Sequence, residues 1–354
     1  METECVIIGA GQCGLYLAKH LQDSGIDYVL LEQGTVAQGW QNRFADLPLF
    51  TSRQFSQLPG LALLGEPNGL PKVEEMVAYF SVYAKQFGLK IKEHCEVVSV
   101  EKVQNTFKVE LQNGDVIAAR VVVNATGSNQ QPAIPAIAKK LPKEILQFSS
   151  QSQDVFNLAQ GSSVLIVGAG ASGRHLAKKL TEHCHVTLAV GKNRALPANT
   201  ILGKNLFWWL SKLGVLQVKR SSILGKILAK RDPVPCASFN NSQLKENGVR
   251  LTSRLLDYKD NKFVFENLEL AHIDAVIWAT GYKDNTSWLK IPEAIVDGQF
   301  LHQQGKTPIA GLFIIGRKWF SCRASELILG VAKDVAYLST EIQKYLKNTN
   351  KEEL

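Results

Sequence analysis

Val6-Ile7-Ile8-Gly9-Ala10-Gly11-Gln12-Cys13-Gly14 is the stretch whose reading decides the fold. An apolar run, Cys5 to Ile8, passes at once into Gly-x-Gly-x-x-Gly, and Leu17, Ala18 and Leu21 follow at helical spacing. The pattern predicts strand, tight turn and helix. Gly9 permits the turn. Gly11 has no Cβ, so a pyrophosphate can approach the backbone, and Gly14 lets the helix pack close on the strand. The helix N-terminus, with Gln12 and Cys13 in its first turn, then faces the phosphates. Gly25 ends the helix, and Tyr28-Val29-Leu30-Leu31 is the second strand. It runs into Glu32, eighteen residues after Gly14, with Gln33 beside it. That is near the offset at which an acid grips ribose hydroxyls. Strand, turn, helix, strand and acid together predict a dinucleotide site.

The chain then repeats the device. Ser163-Val164-Leu165-Ile166-Val167-Gly168-Ala169-Gly170-Ala171-Ser172-Gly173 is a second strand and glycine turn. Leu176, Ala177 and Leu180 line its helix, and Val186 to Val190 is the next strand. Such an internal repeat means two nucleotide domains. Each copy also closes on an apolar strand ending in Ala-Thr-Gly: Ala125-Thr126-Gly127 in the first, Ala279-Thr280-Gly281 in the second. The copies differ at the ribose position. Where Glu32 stands in the first, the second has Gly191, followed by Lys192, Asn193 and Arg194. No carboxylate is there to repel a 2′-phosphate, and two cations are available to pair with it, so both NADPH and NADH remain open.

Length 354 fits about two domains, and 45% hydrophobic content supports a sizeable core. The net charge of +8 comes without any Lys/Arg run of five, so it reads as a solvated face with a few phosphate-binding cations; neither nucleic acid nor membrane is expected as a partner. Six cysteines without a C-x-x-C argue against a disulfide framework or a zinc site and for a reduced, cytoplasmic setting. His183-Cys184-His185 begins a strand, where neighbouring side chains diverge, so no metal is expected. No apolar run reaches spanning length, and a strand this close to Met1 leaves no room for a signal peptide.

Between the copies, Gly39-Trp40, Arg43 and Ser52 follow the ribose acid in a polar loop. Trp40 reads either as a neighbour of a flavin ring or as a core anchor. Glu74 to Phe87 is a helix; Leu89 to Val100, Phe107 to Leu111 and Val116 to Val123 are strands. Phe207 to Leu216 is apolar and helical, better suited to interior packing or a partner surface than to a channel wall. Gly311-Leu312-Phe313-Ile314-Ile315-Gly316 is a buried strand, and Ser325 to Leu346 is a closing helix broken near Gly330. The expected architecture is α/β, with two Rossmann-like dinucleotide-binding domains: 1–150, 151–284 inserted, and 285–354 completing the first.

These elements, taken in order, resemble the flavin-containing monooxygenases, nearest to the short bacterial forms and to flavoproteins labelled as associated with cation-efflux proteins. The resemblance covers nearly the whole chain. It implies FAD in the first domain, NADPH or NADH in the inserted one, and O₂ captured as a flavin C4a-hydroperoxide whose distal oxygen passes to a sulfide or an amine. It implies that Gly9, Gly11, Gln12, Cys13, Gly14, Glu32, Gln33, Gly39, Trp40, Arg43, Ser52, Ala125, Thr126, Gly127 and Gly316 surround FAD. It implies that Gly168, Gly170, Ala171, Ser172, Gly173, Lys192, Asn193, Thr280 and Gly281 serve the nicotinamide nucleotide. Phe50 falls where the family often has an asparagine beside the flavin, and Tyr282 falls near the meeting of the two rings. The family's linker histidine is missing from Phe148-Ser149-Ser150-Gln151-Ser152-Gln153-Asp154. The expected function is an FAD-dependent, NAD(P)H-oxidising monooxygenase, with a homodimer common among such enzymes. The rivals are an NAD(P)H oxidase or quinone-type reductase, and a redox-sensing nucleotide-binding regulator of a transporter.

Overall fold

The computed structural model describes residues 1–191, 194–233 and 239–352. The chain divides into two compact units, Met1–Gln130 with Phe207–Lys226 and Asp284–Leu354, and Gln131–Leu206 with Ile227–Lys283.

The first unit is built on a seven-stranded sheet. Its order is Ile91–Lys92, Tyr28–Leu31, Glu2–Ile8, Val116–Asn124, Thr106–Leu111, Val97–Val103, with Leu312–Ile314 also on Val116–Asn124. The strands around Glu2–Ile8 run parallel, with Ile8 opposite both Leu31 and Asn124. They are apolar on both faces because each face is covered. On one side Cys5, Ile7, Leu30, Val121 and Val123 join the core with helices Gln12–Asp23, Val73–Gln86 and Val331–Glu352. On the other, Val6, Ile8, Val29 and Val122 pack with Phe107, Trp288 and Phe300.

The second unit carries a five-stranded, wholly parallel sheet in the order Arg250–Thr252, His185–Ala189, Ser163–Val167, Ala275–Trp278, Leu146–Ser149. Helix Ala171–Leu180 follows the central strand, and an antiparallel meander of Leu255–Lys259, Lys262–Phe265 and Glu269–Leu270 completes the unit. Leu165, Val276, Trp278 and Phe263 are among its core residues.

Four sequence expectations change. The strand expected over Leu89 to Val100 is two pieces on opposite edges of the first sheet, because His94, at φ 54°, turns the chain between them. The first boundary lies at 130/131 rather than 150/151, since Leu146–Ser149 pairs with Ala275–Trp278 and Gln131–Pro132 with Tyr282–Lys283. The apolar stretch after Phe207 groups with the first unit, where Phe207 and Leu216 are buried with Cys322 and Ala324; Gly214, at φ 70°, ends its helix early. The closing helix begins at Val331, after two 3-10 turns. A Cβ on Gly330 would lie 2.3 Å from the Ala324 carbonyl oxygen, so the chain folds back there before helix can start.

Candidate cofactor sites

The first glycine turn is shaped by contacts that admit no side chain. Gly9 has φ 108°, and a Cβ there would meet the Ala125 carbonyl oxygen at 2.8 Å. A Cβ on Gly14 would lie 1.9 Å from the Gly9 carbonyl oxygen. Around Gly11 a Cβ would have open space. Two glycines are therefore required by the fold, and the third leaves a vacant approach to the backbone. Helix Gln12–Asp23 has no side-chain N-cap and no acid in its first turn, so its leading N–H groups and dipole are left for an anion.

Glu32 ends the second strand against this turn. It is 7% exposed, and its Oε2 accepts from Ala10 N at 2.8 Å while Oε1 accepts from Gly34 N at 3.4 Å. Burial pushes its carboxyl above the ordinary range, against these backbone donors that pull it down. A carboxylate offers about four lone-pair directions, so ribose hydroxyls can still donate to it. Gln33 beside it is exposed, as is Gly39. Trp40 is a core anchor: it packs on Phe80, its indole donates to Gln12 Oε1 at 2.8 Å, and the Arg43 guanidinium lies 4.2 Å from its ring centroid. The Ala125-Thr126-Gly127 turn is held by Asn124, whose Oδ1 accepts from Thr126 N and Oγ1. A Cβ on Gly316 would be 3.3 Å from Cys13 Sγ and 3.8 Å from Gly127 Cα, so these residues converge with the glycine turn. Ser52 is fully buried, with no hydrogen-bond partner for its Oγ. Phe50 lies against the Phe207, Leu216, Cys322 and Ala324 cluster.

The second unit repeats the construction. Gly168 has φ 110°, and its Cβ would meet the Ala279 carbonyl oxygen at 2.3 Å; one on Gly173 would meet the Gly168 carbonyl oxygen at 2.0 Å. Gly170, like Gly11, has open space. Ala171 and Ser172 start the helix, again without a side-chain cap or an acid in the first turn. Thr280 Oγ1 donates to Ala133 O at 2.7 Å, and Gly281, at φ 94°, leads into Tyr282, whose hydroxyl is 3.5 Å from Ser150 Oγ. Both turns are cradles that a side chain would fill, and both fit a dinucleotide pyrophosphate.

Residues 6–205 match the family described as pyridine nucleotide-disulphide oxidoreductase. An uncharacterized oxidoreductase, CzcO-like, of Geobacillus kaustophilus is 36% identical over 343 residues, covering 96% of this chain and 98% of its own. The chain belongs to this oxidoreductase family. It is also similar to the probable indole-3-pyruvate monooxygenase YUCCA3 of Arabidopsis thaliana, 27% identical over 399 residues, covering 97% of this chain and 89% of its own. The fold is likewise that of a flavin-containing monooxygenase from Stenotrophomonas maltophilia, with a TM-score of 0.79 at 23% identity over 98% of this chain and 99% of that one.

Among the cations of this oxidoreductase's second unit, several are already committed. Arg174, directly after the second glycine turn, is 3% exposed and donates to Ala169 O, Phe239 O and Asn241 Oδ1 at 3.0, 2.9 and 2.8 Å. Arg194, which the sequence offered to a 2′-phosphate, pairs with Asp232 at 3.2 Å. Lys192 and Asn193 lie outside the described residues. Sequence reasoning missed Arg254. Parallel pairing of His185–Ala189 with Arg250–Thr252 brings it beside Gly191, with its Cγ 4.0 Å from where a Gly191 Cβ would be. Asn124 and Arg174 were missed too, although each adjoins a quoted motif.

Proposed function

We propose that this oxidoreductase is an FAD-dependent, NAD(P)H-oxidising monooxygenase acting on a small soft nucleophile, a sulfide or an amine. The observation that carries the reading is the doubled cradle. One chain builds twice the same pairing of a positive-φ glycine against an Ala-Thr-Gly carbonyl, with an open glycine two residues on. Two dinucleotides in one chain imply electrons passed from one to the other. Glu32 supports the non-phosphorylated ribose of FAD in the first cradle, and the carboxylate-free Gly191 position supports the nicotinamide nucleotide in the second.

Bound FAD supplies the hydride acceptor and the chemistry of oxygen activation; the chain supplies binding, orientation and water exclusion. Gly11 gives the FAD pyrophosphate its approach, and the leading N–H groups of Gln12–Asp23 bind its charge. Glu32 accepts from its ribose. Gly170, Ala171 and Ser172 do the same for the nicotinamide nucleotide, and Arg254 and Lys192 favour a 2′-phosphate. Phe50 contributes an apolar wall with no donor or acceptor, which keeps water out. Tyr282 and Ser150 supply hydroxyls in the second unit.

The test is oxidation of a simple thioether or tertiary amine by the purified yellow protein with NADPH and O₂. Sulfoxide or N-oxide formed in step with NADPH loss supports the reading. Hydrogen peroxide accounting for all the NADPH, with every nucleophile tried, would make the enzyme an oxidase. Electron transfer to a quinone without oxygen use would make it a reductase, and a colourless protein that binds nucleotide without turnover would make it a sensor.

A further inference from the structure

The charge of the chain is concentrated in one stretch of sequence. Residues 183–231 hold nine Lys and Arg and not one Asp or Glu, whereas the whole chain nets +8. The stretch ends in helix Ile223–Arg231. Gly225 is its buried contact: a Cβ there would lie 2.0 Å from the Lys219 carbonyl oxygen, so the helix sits directly on the backbone of Lys219 and Arg220. That contact fixes which side looks outward. Ile223 and Ile227, one turn apart, fall on the side opposite Gly225. Ile223 is 82% exposed, and Leu224 and Ile227 are 44% and 45% exposed. Lys226 and Lys230 run along one flank of this ridge and Arg231 along the other, all exposed. In the preceding segment Leu213 is 72% exposed, and Lys212, Lys219 and Arg220 are exposed as well.

We infer that the Ile223–Arg231 helix is a peripheral docking surface for an anionic lipid bilayer. An apolar ridge with cationic flanks is the pattern of a helix lying in the headgroup region. The isoleucines enter beneath the headgroups while Lys226 and Arg231 meet lipid phosphates. The ridge also argues against nucleic acid. Affinity there comes from cations on phosphates and from aromatic stacking, to which exposed isoleucines add nothing. The surface needs no spanning segment, and among the described residues no helix is long and apolar enough to cross a membrane. It departs from the expectation, drawn from overall charge, that membranes play no part.

The experiment is co-sedimentation of the full-length protein with vesicles of phosphatidylglycerol and phosphatidylcholine, or of phosphatidylcholine alone, at low and high salt. The expected result is sedimentation with the anionic vesicles only, weakened by salt. Ile223→Ser/Ile227→Ser and Lys226→Glu/Arg231→Glu should each lower the partition coefficient about tenfold or more. Both pairs are exposed, so gel-filtration elution and thermal melting should match the parent. No sedimentation with anionic vesicles at low salt overturns the inference. So does sedimentation indifferent to the isoleucine pair, or release of the protein from vesicles onto single-stranded RNA.

Discussion

The carbonyl oxygen of Ala279 stands 2.3 Å from the point where a Cβ on Gly168 would lie, and that of Ala125 stands 2.8 Å from the same point on Gly9. The two Ala-Thr-Gly turns thus press on the two glycine turns from the same side. Gly168→Ala and Gly9→Ala must relieve both this contact and a positive φ. Each should destabilise its unit by roughly 1–3 kcal/mol, read as a lower melting temperature of the cofactor-free protein.

Gly11→Ala and Gly170→Ala should behave in the opposite way. Nothing stands within 4 Å of either Cβ position, so the cofactor-free protein should melt as the parent does. The methyl instead occupies the approach to a pyrophosphate. Gly11→Ala should lose flavin absorbance on purification. Gly170→Ala should keep the flavin and raise KM for NADPH roughly tenfold. If the melting temperatures fall while cofactor binding is unchanged, the cradles are structural only.

Glu32 sets stability against affinity. Burial raises its folded-state pKa above the ordinary 4.5. The folded chain therefore holds this proton more tightly than the unfolded chain. Its contribution to stability is full below the unfolded value and is lost as pH rises through the raised folded value. Glu32→Gln keeps an acceptor for Ala10 N without that loss. Without FAD, the variant should be no less stable than the parent at pH 7, while its FAD affinity falls about tenfold or more, as expected for losing a charge-assisted bond to ribose. Calorimetry of both proteins between pH 4 and 8, with flavin titration, reads both effects.

Arg254 should choose between nucleotides. Arg254→Ala should raise KM for NADPH roughly tenfold, the worth of one charge-assisted phosphate contact, and leave KM for NADH nearly unchanged. Equal changes for both would remove Arg254 from the 2′-phosphate.

The first unit contains a buried ion pair. Arg317 Nη1 donates to Asp284 Oδ1, and Arg317 Nε and Nη2 have no partner. Burial and the Arg317 charge hold the His302 pKa below its ordinary value, so that ring adds no second positive charge beside Arg317. Asp284→Ala should destabilise by about 3–5 kcal/mol, and Asp284→Ala/Arg317→Met should recover most of it, because the cost lies in the unpaired guanidinium. A smaller loss than 1 kcal/mol for the single variant would show that water reaches the arginine.

The two glycine turns, their helices and the acid at Glu32 were legible because each depends on residues close in sequence. Gly9 and Gly14 are required by backbone geometry, which leaves its mark on the sequence. The assignment of Phe207–Lys226 was not legible, because Phe207 and Leu216 look equally apolar whichever unit buries them. Arg254 was hidden for a related reason: strand pairing alone carries it to Gly191, across sixty-three positions of sequence. The commitment of Arg194 to Asp232 was hidden as well, since a lysine- and arginine-rich stretch does not announce which cation already has a partner.

The most direct test of the central claim follows the oxygen atom. A thioether is incubated with the FAD-loaded enzyme, NADPH and ¹⁸O₂, and the sulfoxide is weighed by mass spectrometry. The account predicts one labelled oxygen per sulfoxide and sulfoxide in proportion to NADPH consumed. Unlabelled product, or reduction of ¹⁸O₂ to labelled hydrogen peroxide that accounts for all the NADPH consumed, would contradict it.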